Sequence, residues 1–355
     1  MTKTALGLAM LVACTPKIQK LVVVPAETTT PVAETSKPSP LPAEEMKQVA
    51  NLPPAIAIAV GREIACAVTQ DGGVRCWSLE GKDLPLAQTR PAIREVKSIS
   101  AFGTSVCAAQ GTGKIACWGE GAPWSSVDGS VTWIGGASDA IKIAVGHRHG
   151  CALLRSGEVA CWGESGLGCL GSLNQPATYT ELIRVPRIRD AVDVAVSNFG
   201  ACAVRQNGHV ICWGSGDITP WAPSGPIAPP QPSETILRPT ELRFATDVAS
   251  VNLEWDACIV HRNGHVSCWS LTDRATMHDE GLVNIVDAQG IGDAASISGD
   301  LLLRKNGTLV QIDDDDKLYT ARTLMSPTDV IQVAQDRRLY ACALKRGGNV
   351  VCWHR

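Results

Sequence analysis

A chain of 355 residues, 45% hydrophobic and 19% charged, has the composition of a folded globular protein. Its 32 Lys and Arg against 35 Asp and Glu leave a formal charge of −3, which excludes the basic surface that duplex nucleic acid demands. No apolar run is long enough for a membrane-spanning helix.

The chain opens with Lys3 and an apolar run from Ala5 to Ala13, the pattern of a signal-peptide core that is too short to span a bilayer. It ends in Leu11-Val12-Ala13-Cys14, which resembles a bacterial lipobox. That resemblance implies diacylation of Cys14 and a place in the bacterial cell envelope, lipid-anchored, facing the periplasm or the cell exterior. Residues 1–14 are then a lipoprotein signal. Residues 15–43 carry Pro16, Pro25, Pro31, Pro38, Pro40 and Pro42 among Thr and Glu, a composition expected to stay extended as a disordered tether.

From about residue 55 one unit returns seven times. Its frame runs Cys66 to Cys76-Trp77, then Cys107 to Cys117-Trp118, Cys151 to Cys161-Trp162 and Cys202 to Cys212-Trp213. It recurs at Cys258 to Cys268-Trp269, degenerates at Leu301 to Gln311, and returns at Cys342 to Cys352-Trp353. A glycine stands six residues after each start: Gly72, Gly113, Gly157, Gly208, Gly264, Gly307 and Gly348. Asp, Ser or Asn precedes most of them, which is hairpin-turn chemistry. A β-branched run such as Ile56–Val60 lies upstream of each hairpin, and segments such as Glu181–Val185 and Thr240–Phe244 offer a fourth strand. Four antiparallel strands in each of seven units predict an all-β, seven-bladed propeller over residues 44–355.

Each cysteine pair flanks its turn symmetrically and so faces itself across the hairpin, within disulfide reach. The spacing does not fit a zinc knuckle. The degenerate copy lost both cysteines together, as partners would. Six intra-hairpin disulfides are therefore expected, and such usage suits an oxidising compartment. Cys169 is left over, as a partly buried free thiol or an intermolecular link.

The stretch Gly146, His149, Cys151, Gly157, Val159, Cys161, Trp162 and Gly163 resembles a regulator of chromosome condensation repeat. Glu164, Gly166, Gly168, Leu170 and Gly171 continue that family's glycine-rich tail, with Cys169 where glutamine is usual. The cysteine-bearing form is similar to that in bacterial secreted and surface proteins. The resemblance covers residues 55–355 but is specific only in the third copy, because the others lack the full tail. WD-repeat propellers share the period, but their Trp-Asp signature is absent. The resemblance implies a closed ring. The last copy runs out after its third strand at Arg355, so residues near Glu45 to Leu52 are expected to supply its fourth. The family's founding member is a nucleotide-exchange factor that binds chromatin. An envelope protein without a basic arm is expected to do neither.

No catalytic constellation, phosphate loop or metalloprotease motif is legible, so neither enzyme activity nor a cofactor is expected. His147 and His149, two ligands on one turn, are a weak basis for a metal site. Asp313 to Asp316 lack the turn glycine of a calcium loop and read as a solvated loop. The turns joining the first two strands of each unit vary where the frame does not. In a propeller they gather on one face. They bring Phe102, His147, His149, Phe199, Trp255, Asp256, Arg337, Arg338 and Tyr340 to one rim as partner-binding candidates, rich in the aromatic and Arg types of interface hot spots. The long insertions Glu164–Val185 and Ser215–Pro239 form a second candidate face. The expected function is a surface-displayed interaction module that binds another envelope or extracellular protein through one rim. A glycan-binding lectin of the envelope is the alternative.

Overall fold

The computed structural model describes residues 46–79, 86–89, 93–119, 124, 130–164, 168–171, 178–198, 200–214, 238–242, 245–254, 256–270, 286–287, 291–315, 318–325, 329–336 and 339–354. They form seven four-stranded antiparallel sheets, the blades of a propeller. After β1 (Lys47–Gln48), blade 1 holds β2 (Ala55–Val60), β3 (Ile64–Thr69), β4 (Val74–Ser78) and β5 (Leu86–Thr89). Blade 2 holds β6 (Val96–Phe102), β7 (Ser105–Gln110), β8 (Ile115–Trp118) and β9 (Thr132–Ile134). Blade 3 holds β10 (Ala140–Val145), β11 (His149–Leu154), β12 (Val159–Gly163) and β13 (Thr178–Arg184). Blade 4 holds β14 (Ala191–Val196), β15 (Gly200–Arg205), β16 (Val210–Gly214) and β17 (Thr240–Leu242). Blade 5 holds β18 (Val248–Leu253), β19 (Asp256–His261), β20 (Val266–Ser270) and β21 (Val286–Asp287). Blade 6 holds β22 (Ala294–Ser298), β23 (Leu301–Arg304), β24 (Leu309–Asp315) and β25 (Leu318–Met325). Blade 7 holds β26 (Val330–Asp336), β27 (Tyr340–Lys345) and β28 (Val350–His354), and β1 completes it.

The turn chemistry read from the sequence is realised at the second hairpin of every blade. All seven frame glycines have positive φ, from 77° at Gly72 to 92° at Gly264, a region costly for any other residue. At Gly113 a Cβ would also lie 2.2 Å from the backbone nitrogen of Asp139. The side chains of Asp71, Asn207, Asn263 and Asn306 accept a hydrogen bond from the backbone N–H two residues on, at 2.9–3.1 Å. That bond is the reason those residue types stand there.

Each cysteine pair is directly opposed in register and bonded, giving six disulfides. The disulfides also take part in packing between blades. Trp118 of blade 2 shares a buried cluster with Cys66 and Cys76 of blade 1. Trp162 does so with Cys107 and Cys117, Trp213 with Cys151 and Cys161, and Trp77 with Cys342 and Cys352. Blade 6 breaks the pattern on both sides. Ile312 takes the tryptophan's place over Cys258 and Cys268, and Leu301 takes the disulfide's place under Trp353. Loss of both cysteines is thus compensated by apolar packing.

The ring closes as expected. Lys47 pairs with Cys352 and Gln48 with Val351, so the N-terminal side supplies the fourth strand of blade 7. Val49 is buried in the cluster that also holds Trp77 and Cys352. Deleting residues 44–52 is expected to lower the thermal unfolding midpoint by at least about 2–4 °C, the shift that about 1 kcal/mol produces in a domain of moderate size. An unchanged midpoint in a calorimetric scan overturns this role.

One reading needs correction. Asp313, Asp314 and Asp315, expected in a solvated loop, are the last residues of β24 and stand opposite Thr320, Tyr319 and Leu318 of β25. The pairing begun at Val310 continues without a break through them, and a continuing ladder overrides the poor strand propensity of Asp.

Candidate functional site

The innermost strands β2, β6, β10, β14, β18, β22 and β26 surround an axial cavity of about 310 Å³. Each has one edge left open toward the axis, and side chains from neighbouring blades supply partners for it. Ser98 and Ser100 of blade 2 accept from the N–H groups of Ile143 and Val145 in blade 3, both at 3.1 Å. Asp193 accepts from Val251 in the next blade at 3.2 Å and pairs with Lys142 of the preceding one. Asn252 accepts from Gly299 at 3.0 Å. At the closing seam Gln332 of blade 7 accepts from the Ile58 N–H at 2.9 Å and donates to the Ile58 carbonyl at 2.8 Å. Polar side chains here satisfy backbone groups that an open edge would leave wanting. Sequence reasoning missed this ring; its signal was the polar residue recurring at the third or fifth place of otherwise apolar inner strands.

The turns from first to second strand lie on one face, as expected. Phe102 lines the axial cavity at that rim, and its ring centroid is 6.2 Å from that of the exposed His147. Arg148 makes a two-pronged ion pair with Glu164 at 2.7 and 2.9 Å. Tyr340 is half-buried and meets the His354 ring edge-on at 5.0 Å. Leu339, which sequence reasoning passed over, is 39% exposed beside it. Trp255, Phe199, Arg337 and Arg338 lie outside the described residues, as do Cys14 and the insertion core 215–237. Asp256 is placed as the first residue of β19.

His149 departs from expectation. It is fully buried, so its ring is not offered to a partner. Burial pushes its pKa down to about 4, offset in part by the nearby backbone of Gly200 in blade 4. Its role is structural, at the seam between blades 3 and 4. Cys169 is also buried; loss of solvent pushes its thiol up to about 12, which leaves it unreactive at neutral pH. Its carbonyl accepts the indole N–H of Trp213 at 3.1 Å, so the leftover cysteine stands outside the six disulfides, inside a packed seam. Among the described residues no group of three His, Cys, Asp or Glu is placed to hold a metal ion.

The opposite face differs in kind. Every innermost strand has a bulge after its first residue. The bulged residues Ile56, Ile141, Val192 and Ile331 are 41–48% exposed.

Seven blades, a closing strand from the N-terminal side and the glycine-framed second hairpins accord with one sequence match. Residues 140–169 match the profile of the Regulator of chromosome condensation (RCC1) repeat. That match lies within the third blade. No curated protein matches the chain significantly in sequence. Among solved structures, this propeller is similar to Prp20p from Saccharomyces cerevisiae at 14% identity and a TM-score of 0.60, over 84% of this chain and 82% of that one. It is similar to human WBSCR16 at 13% identity and a TM-score of 0.63, over 85% and 88%. The Cps50 (Swd1) β-propeller domain of Myceliophteria thermophila follows at 12% and 0.56, over 87% and 99%. At such identities the likeness is one of fold. The six disulfides suit this propeller to an oxidising environment.

Proposed function

We propose that this protein is a lipid-anchored, surface-displayed interaction module that binds another envelope or extracellular protein through the rim built by the first-hairpin turns. Cys14 carries the anchor, residues 15–43 lift the propeller off the membrane, and residues 44–355 present the rim. The observation that carries the reading is the contrast within each repeat. Frame positions return blade after blade, whereas the rim turns differ in every blade and hold exposed His147, Arg148 and Leu339 with half-buried Tyr340. Rigid scaffolds with variable loops are the usual design of binding proteins. The similar propeller Prp20p is described with binding properties to Gsp1p and histones; by analogy of fold, a protein partner is the natural class.

Affinity capture from detergent-solubilised envelope tests the rim, with the mature ectodomain as bait and the triple variant Trp255→Ala, Arg338→Ala, Tyr340→Ala as control. A protein retained by the native bait and lost with the variant supports the reading. Equal retention by both sinks it and turns attention to glycans. For the anchor, Cys14→Ser is expected to move the protein from the membrane to the soluble fraction, because acyl chains supply the membrane affinity. Membrane retention of that variant overturns the anchor.

A further inference from the structure

The face opposite the rim carries a ring of exposed aliphatic side chains around the mouth of the axial cavity. Each innermost strand begins there, and its bulge leaves the second residue out of the ladder and turned toward solvent. That position holds Ile56 in blade 1, Ile141 in blade 3, Val192 in blade 4 and Ile331 in blade 7, each 41–48% exposed. Ala249 and Ala295, both exposed, occupy it in blades 5 and 6, and Lys97 in blade 2. Lys97 shows that the position accepts a charged residue, so neither the bulge nor the packing requires an aliphatic one. Large aliphatic residues repeated at one exposed position, around one opening, mark an interaction surface.

The surroundings of this ring are basic. Lys114, Arg155, Lys305 and Arg346 stand in second-hairpin turns, Arg187 and Arg189 in the loop that enters β14, and all are exposed. With Lys97 they make seven cations on this face that form no ion pair among the described residues. The acidic residues of the same loops and turns are mostly neutralised. Asp190 pairs with Arg205, Asp247 with Arg262, Asp293 with Arg304, and Asp329 with Lys345. Asp71 pairs with Arg75, and Glu158 with Arg184. Glu95 and Asp139 are the exceptions there. The formal charge of −3 over the whole chain therefore does not describe this face.

We infer that this face docks on an anionic phospholipid bilayer, with the aliphatic ring entering the headgroup layer and the surrounding cations meeting lipid phosphates. Interfacial binding draws on both contributions, buried apolar area and attraction to anionic lipid. A nucleic-acid duplex would satisfy the charge but leave the aliphatic ring against phosphate, where its burial gains nothing. An apolar protein surface would satisfy the ring and leave the cations unanswered. Bound in this way, the propeller turns its rim away from the bilayer. The inference goes beyond the rim-binding reading and does not depend on it.

Vesicle flotation tests it, using the mature ectodomain without acyl chains, so that any binding comes from protein surface. Vesicles of phosphatidylglycerol and phosphatidylethanolamine in equal amounts are expected to retain the native protein, and vesicles of phosphatidylcholine are not. Two variants separate the contributions. Arg155→Ala, Arg189→Ala, Arg346→Ala removes charge. Each basic residue near an anionic leaflet contributes about fivefold, so binding is expected to weaken by more than about tenfold, and added salt to weaken it in the native protein. Ile56→Thr, Ile141→Thr, Val192→Thr, Ile331→Thr keeps β-branched residues in the strands and removes the apolar ring, with a loss of at least about tenfold. The rim variant Trp255→Ala, Arg338→Ala, Tyr340→Ala is expected to bind vesicles as the native protein does. Failure of the native protein to bind anionic vesicles, equal binding to phosphatidylcholine, or equal binding by either folded variant overturns the inference. So does loss of vesicle binding in the rim variant, or binding of a short DNA duplex as tightly as the vesicles. Should the quadruple variant fail to fold, Ile56→Thr with Ile331→Thr replaces it, with an expected loss of at least about threefold. Failure here leaves the rim capture as it stands, because the two tests change opposite faces.

Discussion

Trp213→Ala is expected to destabilise the ring by about 3–5 kcal/mol, the range for removing a fully buried tryptophan. The indole is 0% exposed and packs in one cluster with the Cys151–Cys161 disulfide, Leu170 and Val185 of the blade before. It also donates to the Cys169 carbonyl, so its loss frees the glycine-rich tail as well as opening a cavity. Two readouts follow. The thermal midpoint falls, and Cys169, silent toward a thiol reagent in the native protein, begins to react below the unfolding transition. Trp213→Phe keeps much of the packing and loses the N–H bond, so it is expected to cost only about 1–3 kcal/mol. Equal stability of the alanine variant and the native protein, by chemical denaturation, would show that the seam does not depend on the indole.

Acid is expected to loosen the same seam through His149. In the folded ring its pKa lies at about 4, against 6.5 for a free side chain, because burial disfavours the charged imidazolium. The unfolded chain therefore binds more protons once pH falls below about 6.5, and stability drops with it. The loss grows until the pH reaches about 4 and then levels off. A shift of this size corresponds to about 3 kcal/mol. His149→Leu removes the titration, so its stability should be flatter than the native protein's between pH 6.5 and 4, as read from urea midpoints at each pH. Parallel curves for the two proteins would sink the argument.

Much of this architecture was legible without coordinates because its determinants are local. A glycine six residues into each repeat with Asp or Asn before it dictates a tight turn, and the turn sets the register that brings Cys66 opposite Cys76. Repetition then supplies the rest, since a blade can bury its faces only against another blade. The closing strand was readable for the same reason: a seventh unit short of its fourth strand needs one from elsewhere, and β1 provides it.

The candidate site was less legible, because it depends on relations between blades. Nothing local distinguishes His147 from His149, yet one is exposed and the other fully buried. His147 lies in the turn ahead of β11, whereas His149 is the first residue of that strand, which packs against blade 4. The run Asp313 to Asp316 looked like a loop because the propensity of Asp disfavours strands, and at Asp313 to Asp315 only pairing with β25 overrode it. The short first hairpin of blade 6 was written in the sequence as the spacing of 7 from Ala294 to Leu301 where blades 1–4 have 11, but a spacing has no height until neighbouring blades define the rim. The sequence by itself determined the unit, its count, its disulfides and the way the ring closes, since short-range turns and repetition specify those. Tertiary structure alone decided which rim residues face solvent, what lines the axis and where the rim steps down, since these depend on packing between units distant in the chain.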